Sequence, residues 1–272
     1  MALTEFQRTI CRLIASNRIA AGESYIAGAV ALNELVRAPR VSGDIDVFHD
    51  TERAVTVAWA ADRAVLERAG FTVAVIRELA SFVEARIARG PDLCVMQWAR
   101  DSAFRFFPLV QHSEFGLVLH PFDLATNKVL ALVGRLEVRD WVDVISCDER
   151  VQPLGYLAWA AAAKDPGFSP AAILEHAART ARYSHAEVRE LAFEGTPPDA
   201  AALSRKWHAM LDLARDVVAL LPTEEVGRAV ADRLGDLYRG SPRELERALA
   251  RQEIVFHEGR IRGAWPRIIS AE

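Results

Sequence analysis

The run Arg40-Val41-Ser42-Gly43-Asp44-Ile45-Asp46-Val47-Phe48 places the tightest restriction on how this chain can fold. From Asp44 to Phe48 it reads as a short strand. Strand side chains alternate between faces, so Ile45 and Val47 point into a core while Asp44 and Asp46 share the opposite face. Two adjacent carboxylates repel each other unless a cation lies between them, so an Asp-x-Asp at the end of a buried strand suggests a Mg²⁺ site. A strand end with two solvated acids is the plainer alternative. The apolar, glycine-containing run Tyr25-Ile26-Ala27-Gly28-Ala29-Val30-Ala31-Leu32 upstream, with Arg40 and Ser42 just before the aspartates, favours the metal site.

Around this run the first half of the chain alternates strand and helix. Leu3 to Arg18 carries apolar residues at helical spacing, with Thr4 available as a cap. Tyr25 to Gly28 reads as a strand, Val30 to Val36 as a short helix starting at the glycine turn, and Thr51 to Ala69 as a helix ended by Gly70. Strands are expected at Phe71 to Ile76, Ser81 to Ala88 and Leu93 to Trp98, the last two joined by the turn Arg89-Gly90-Pro91-Asp92. A strand at Phe115 to Leu119 follows. Pro121 and Asp123 open a helix that carries Lys128, with Asp123 as its expected N-cap.

Two motifs in this order resemble the DNA polymerase β-like nucleotidyltransferases, and more narrowly the AbiEii-type nucleotidyltransferase toxins of bacterial toxin–antitoxin and abortive-infection systems. The first is the glycine turn, short helix and Arg-x-Ser-x-Asp-Ile-Asp of residues 25–48. The second runs from Asp123 through Lys128, Ala131, Leu132 and Arg135 to Arg139-Asp140-Trp141-Val142-Asp143, similar to that family's Lys-x-x-Ala-Leu-x-x-Arg followed by Arg-Asp-x-x-Asp. The resemblance covers residues 25–143. It implies an α+β protein: a mixed-sheet polymerase β-like nucleotidyltransferase domain over 1–150, then an all-α helical domain over 151–272. The second half shows helical periodicity in several segments, including Glu224 to Tyr238, separated by glycine and proline breakers.

Nucleotidyl transfer explains why such motifs have this form. A triphosphate is held by backbone N–H groups at a helix N-terminus, which a glycine makes accessible; Gly28 and Ala29 fit that role. Relatives often have Gly-Ser or Gly-Gly here, so Ala29 leaves only the amide. Mg²⁺ held by Asp44 and Asp46 would bridge the phosphates and polarise the attacking hydroxyl. Ser42 is placed to donate to a phosphate oxygen. Arg40 either pairs with the triphosphate or forms a salt bridge to one of the aspartates.

Only Lys128, Lys164 and Lys206 are lysines among 33 Lys plus Arg. The resemblance implies a nucleotide-phosphate role for Lys128, against the alternative of an ammonium that snorkels from an apolar helix. Arg139, Asp140 and Asp143 follow on the next helix. There Asp140 or Asp143 positions Lys128 or the metal, or the three form an intrahelical ion-pair set. The departure from the family pattern is a third carboxylate, expected on a later strand where this chain reads Val95-Met96-Gln97-Trp98. Glutamine cannot act as a base near neutral pH. Either Asp140 or Asp143 compensates, or water completes the metal's shell, or the protein binds nucleotide with little turnover.

The implied reaction is Mg²⁺-dependent transfer of an NMP from an NTP to an RNA end such as that of tRNA, by a toxin with a cognate antitoxin protein. The alternatives are an antibiotic-type enzyme acting on a small hydroxylated molecule and a nucleotide-binding interaction module. A formal charge of −4 argues against an indiscriminate nucleic-acid binder. On a helix Arg243, Arg247 and Arg251 share one face, for which solvation is the default reading. Three isolated cysteines in apolar surroundings, Cys11, Cys94 and Cys147, suggest reduced thiols in a cytoplasmic protein. No apolar run predicts a membrane span or a signal peptide.

Overall fold

Helix α1 (Glu5–Ala21) begins where Thr4 caps it: the Thr4 hydroxyl accepts the Gln7 N–H, and the Gln7 side chain accepts the Thr4 N–H. In the computed structural model, which describes residues 3–179 and 183–266, α1 leads into β1 (Ser24–Ala27), α2 (Gly28–Leu35), β2 (Asp44–His49) and α3 (Glu52–Arg68). The strands β3 (Thr72–Leu79), β4 (Phe82–Arg89) and β5 (Asp92–Arg100) follow, then the short β6 (Phe104–Arg105), β7 (Val110–His112) and β8 (Gly116–Val118). Apart from β6, these strands form one mixed sheet ordered β3-β4-β5-β2-β1-β8-β7. Pairing is parallel between β2 and β5 and between β1 and β8, and antiparallel elsewhere.

The period-two pattern of β2 decides what each face does. Ile45, Val47 and His49 are buried, whereas Asp44 is exposed and Asp46 half-buried. On the buried face the Trp59 ring of α3 meets Trp98 of β5 with centroids 4.8 Å apart. Asp62 accepts the Trp98 indole N–H at 2.9 Å and the Asn17 amide at 2.8 Å, so this buried carboxylate is satisfied by neutral donors. Buried Arg18 donates to the Phe115 and Cys11 carbonyls.

His49 lies 2.7 Å from the Ser24 hydroxyl, and burial, reinforced by Arg18, pushes its pKa down from 6.5 to about 4. A histidine neutral in the fold but free to charge when unfolded contributes stability above its unfolded pKa and loses it as pH falls. The free energy of urea unfolding should therefore fall between pH 6.5 and about 4, by up to about 3 kcal/mol from this group. Burial raises the Asp62 carboxyl, which acts in the opposite sense, so the informative comparison is with His49→Asn. The variant should show a shallower acid-side decline; a slope equal to the parent's would contradict the assignment.

Contacts divide the chain into two compact units, Met1–Ala103 with Leu109–His120, and Phe104–Pro108 with Pro121–Glu272. The second holds α4 (Pro121–Arg135), α5 (Val138–Arg150), α6 (Leu154–Ala161), α7 (Pro170–Ala178), α8 (His185–Arg189), α9 (Ala200–Leu220) and α10 (Pro242–Ala250). This boundary lies ahead of the compositional one at 150/151, because α4 packs against α5, α6 and α7. Tyr156, Trp159, Val217, Leu221, Val230 and Leu245 form a buried core in this unit.

The second half is not all helical. Residues expected to form a helix over 224–238 instead give a 3-10 turn and β9 (Arg228–Asp232), which pairs antiparallel with β10 (Ile254–Glu258); β11 (Arg260–Ile261) pairs with β6. Two positive-φ glycines bracket β9, Gly227 at 82° and Gly235 at 87°, a backbone state that interrupts a helix. The Asp232 side chain then accepts the Leu234 and Asp236 N–H groups and closes the turn after β9. Gln152 donates to the Val230 and Tyr238 carbonyls, tying the strand to the helices. Among the described residues, no helix is long and apolar enough to cross a membrane.

Candidate active site

Six of the residues singled out in the sequence, Gly28, Ala29, Arg40, Ser42, Asp44 and Asp46, belong to the first unit. Asp46 pairs with Ala27 in the antiparallel β1–β2 ladder, so its side chain emerges beside the residue at which β1 becomes α2. Gly28 has φ of 67°, and a Cβ built there would lie 2.1 Å from Asp46 Oδ2. The glycine is thus required twice, for its backbone and for the carboxylate it admits. Helix α2 starts without a side-chain cap, so its first N–H groups are of the kind that hold anions in place of a cap. Gly28→Ala should cost more than about 1 kcal/mol from backbone strain alone and should also displace Asp46. A thermal melt paired with a nucleotide-binding assay measures both effects, and unchanged binding would contradict the close approach.

The loop before Asp44 is held from two sides. Gln7 Nε2 donates to the Ser42 carbonyl at 3.1 Å and the Gly43 carbonyl at 3.0 Å, and Asn33 Nδ2 to the Arg40 carbonyl at 2.9 Å. Ser42 Oγ donates to the Asp44 carbonyl at 3.3 Å, and Arg40 is buried with Nη1 3.4 Å from the Val41 carbonyl. Both side chains therefore support the loop that delivers Asp44.

Asp44 and Asp46 supply hard oxygen donors on one face of one strand. Among the described residues no group of three or more His, Cys, Asp or Glu gathers. Such a two-carboxylate set suits Mg²⁺, which commonly takes one or two carboxylates and completes its shell with water and substrate phosphate. It does not suit a closed Zn²⁺ cage.

Lys128, Arg139, Asp140 and Asp143 belong to the second unit. Lys128 Nζ lies 2.9 Å from Asp140 and 3.2 Å from Asp143, and Arg135 adds a bond to Asp140 at 3.0 Å. Asp140 and Asp143 are fully buried and Lys128 is 8% exposed. Two cations thus balance two anions across α4 and α5. Arg139 turns the other way, to Glu137 at 2.6 Å, and is not part of this cluster. Nearby Cys147 is held as a thiol, because burial, with Asp143 adding to it, raises its pKa.

Asp123 is not the N-cap of α4. The helix starts at Pro121, and the buried Asp123 carboxylate accepts the Phe106 and Phe107 N–H groups at 2.9 and 3.0 Å and pairs with Lys164 at 2.9 Å. Its role is to anchor residues 104–108.

Sequence reasoning missed Glu84. Gln97 is in register with Asp46 on one side and with Glu84 on the other, and its Nε2 donates to Glu84 at 2.9 Å. The signal was present in the hairpin: with Arg89 opposite Asp92 across the Gly90-Pro91 turn, counting outward sets Glu84 opposite Gln97.

No family model matches this chain, and no curated protein matches it. Among solved structures, its fold is similar to that of MenT4, the nucleotidyltransferase toxin Rv2826c from Mycobacterium tuberculosis H37Rv, with a TM-score of 0.52 and 17% identity over 90% of each chain. It is also similar to JHP933 from Helicobacter pylori, with a TM-score of 0.51 and 14% identity over 80% of this chain and 95% of that one. At these identities the likeness establishes a shared fold. The mixed sheet followed by helices is the fold shared with that nucleotidyltransferase toxin.

Proposed function

We propose that this chain transfers a nucleoside monophosphate from an NTP to an acceptor hydroxyl, releasing pyrophosphate, at the site built on β2 and the start of α2. The observation that carries this reading is the Gly28–Asp46 approach, in which the Asp46 carboxylate lies 2.1 Å from where a Cβ of Gly28 would sit, at the start of a helix without a side-chain cap. The N–H groups at Gly28 and Ala29 donate to phosphate oxygens, while Asp44 and Asp46 would hold Mg²⁺. The bound cation supplies Lewis-acid charge to the triphosphate and the attacking hydroxyl. Ser42 and Arg40 keep the loop in place. For Lys128 the motif resemblance implies a nucleotide-phosphate role, and within its own unit Asp140 and Asp143 hold its ammonium.

The acceptor we propose is an RNA end, with tRNA the first to test, and the role is that of a cytoplasmic toxin restrained by a cognate antitoxin protein. The motif resemblance over residues 25–143 and the toxin named among the fold neighbours support this. Incubation with each labelled NTP, Mg²⁺ and total RNA tests it. Label should enter RNA with the native chain and not with Asp44→Ala. Label entering an aminoglycoside-type small molecule instead would overturn the RNA acceptor, and tight NTP binding without incorporation into any acceptor would overturn transfer itself.

A further inference from the structure

The cross-strand row that contains Asp46 continues to Gln97 on β5, Glu84 on β4 and Arg77 on β3, all in register and therefore on one face of the sheet. Arg77 is drawn aside, its guanidinium 5.6 Å from the Phe82 ring centroid. Gln97 Nε2 lies 2.9 Å from Glu84 Oε1. A carboxylate can only accept, so the amide nitrogen must face Glu84, and the amide oxygen is turned away from β4. The strand on that side is β2, and the residue in register there is Asp46.

We propose that Gln97, oriented by Glu84, presents its amide oxygen beside Asp46 as a neutral third oxygen donor of the nucleotide site, with Glu84 as the positioning residue. The inference rests on the reading that Asp44 and Asp46 hold a divalent cation. Its physical logic is the cost of the alternative: a carboxylate at 97 would sit directly opposite Asp46, where like charges destabilise a sheet. Moving the acid one strand outward separates the charges by roughly 10 Å, two strand spacings. The cross-strand hydrogen bond then converts that distant acid into a fixed orientation of the amide. The site keeps three oxygen donors while the empty sheet carries less repulsion, at the expense of metal affinity.

The exchange variant Glu84→Gln/Gln97→Glu tests this, because it keeps the hydrogen bond with donor and acceptor reversed and sets an acid beside Asp46. With Mn²⁺ as the probe, titrated against the full chain and followed by the paramagnetic signal of the free ion, the exchange variant should bind at least about tenfold more tightly than the parent. Gln97→Met should bind several-fold more weakly. Glu84→Gln should also bind more weakly, and should remain so in about 1 M salt, where screening over about 3 Å removes any through-space contribution of the lost charge. A purely structural pair would shift the melting temperature in these variants and leave Mn²⁺ affinity alone. Unchanged Mn²⁺ binding in the exchange variant and in Gln97→Met, with binding lost in Asp46→Asn, would overturn the role of Gln97 and leave the metal reading standing. Unchanged binding in Asp46→Asn as well would overturn the metal reading on which this inference rests.

Discussion

Asp46→Asn should lower nucleotidyl transfer by at least about a hundredfold while melting within a degree or two of the parent. The two shapes are nearly the same, and the Asp46 side chain is only half-buried, so the fold loses little. What disappears is a negative charge beside Gly28, in the row that includes Gln97. A metal-held charge at a developing transition state contributes several kcal/mol, and each 1.4 kcal/mol is a factor of ten in rate. A second readout separates chemistry from binding. Mg²⁺ with NTP should raise the melting temperature of the parent by mass action and should raise that of Asp46→Asn much less. Asp44→Asn should behave in the same way, since it removes the other carboxylate on this face of β2. Retained turnover in Asp46→Asn would remove the site from the account.

Lys128→Met should be the most destabilising single change among the site residues, costing about 3–5 kcal/mol. The cause is what it leaves behind: Asp140 and Asp143, both fully buried, each deprived of the buried ammonium that pairs with it. For a chain of this size that corresponds to a fall of about 10 °C in melting temperature. Adding Asp140→Asn and Asp143→Asn to Lys128→Met should restore most of the loss, because removing a whole buried ion cluster is far less costly than removing one partner. Activity separates the two roles of this lysine. If Lys128 binds phosphate, the triple variant recovers stability and stays inactive; if the cluster only braces α4 against α5, both recover together.

How far the sequence could be read differs from residue to residue, for physical reasons. The β2 pattern was legible because a half-buried strand writes its two faces as alternation, and Ile45, Val47, Asp44 and Asp46 fall as alternation requires. The start of α1 was legible from Thr4, since capping is local chemistry. The segment around β9 was not legible: its periodicity suited a helix, and the decision was made by Gly227, Gly235 and pairing with β10, a partner more than twenty residues away. Asp123 failed for a similar reason. Its carboxylate answers to backbone N–H groups at Phe106 and Phe107, which no spacing on α4 reveals.

At the site, local signals located Gly28, Asp44 and Asp46, and the Lys128 motif placed Asp140 and Asp143 nearby without saying which of them it pairs with; it pairs with both. Arg139 went astray because its partner, Glu137, is the residue just before α5, two positions away and outside the i to i+4 pattern of the helix. The parallel pairing of β5 with β2, which brings Gln97 beside Asp46, could not be read from periodicity because non-local register leaves no local trace. Glu84 was within reach, because the turn at Gly90-Pro91 sets its register on Gln97. The missing step was to treat the hairpin as a ruler and count outward from the turn.

The central claim is that the Gly28–Asp44–Asp46 site moves the α-phosphate of an NTP. The most direct measurement follows two labels in parallel, one on the α-phosphate and one on the γ-phosphate, with total RNA and Mg²⁺. The account predicts α-label in the RNA and γ-label released as pyrophosphate in equal amount, both lost in Asp46→Asn. Release of γ-label as single phosphate with no α-label in any acceptor, or equal transfer by the Asp46→Asn chain, would contradict it.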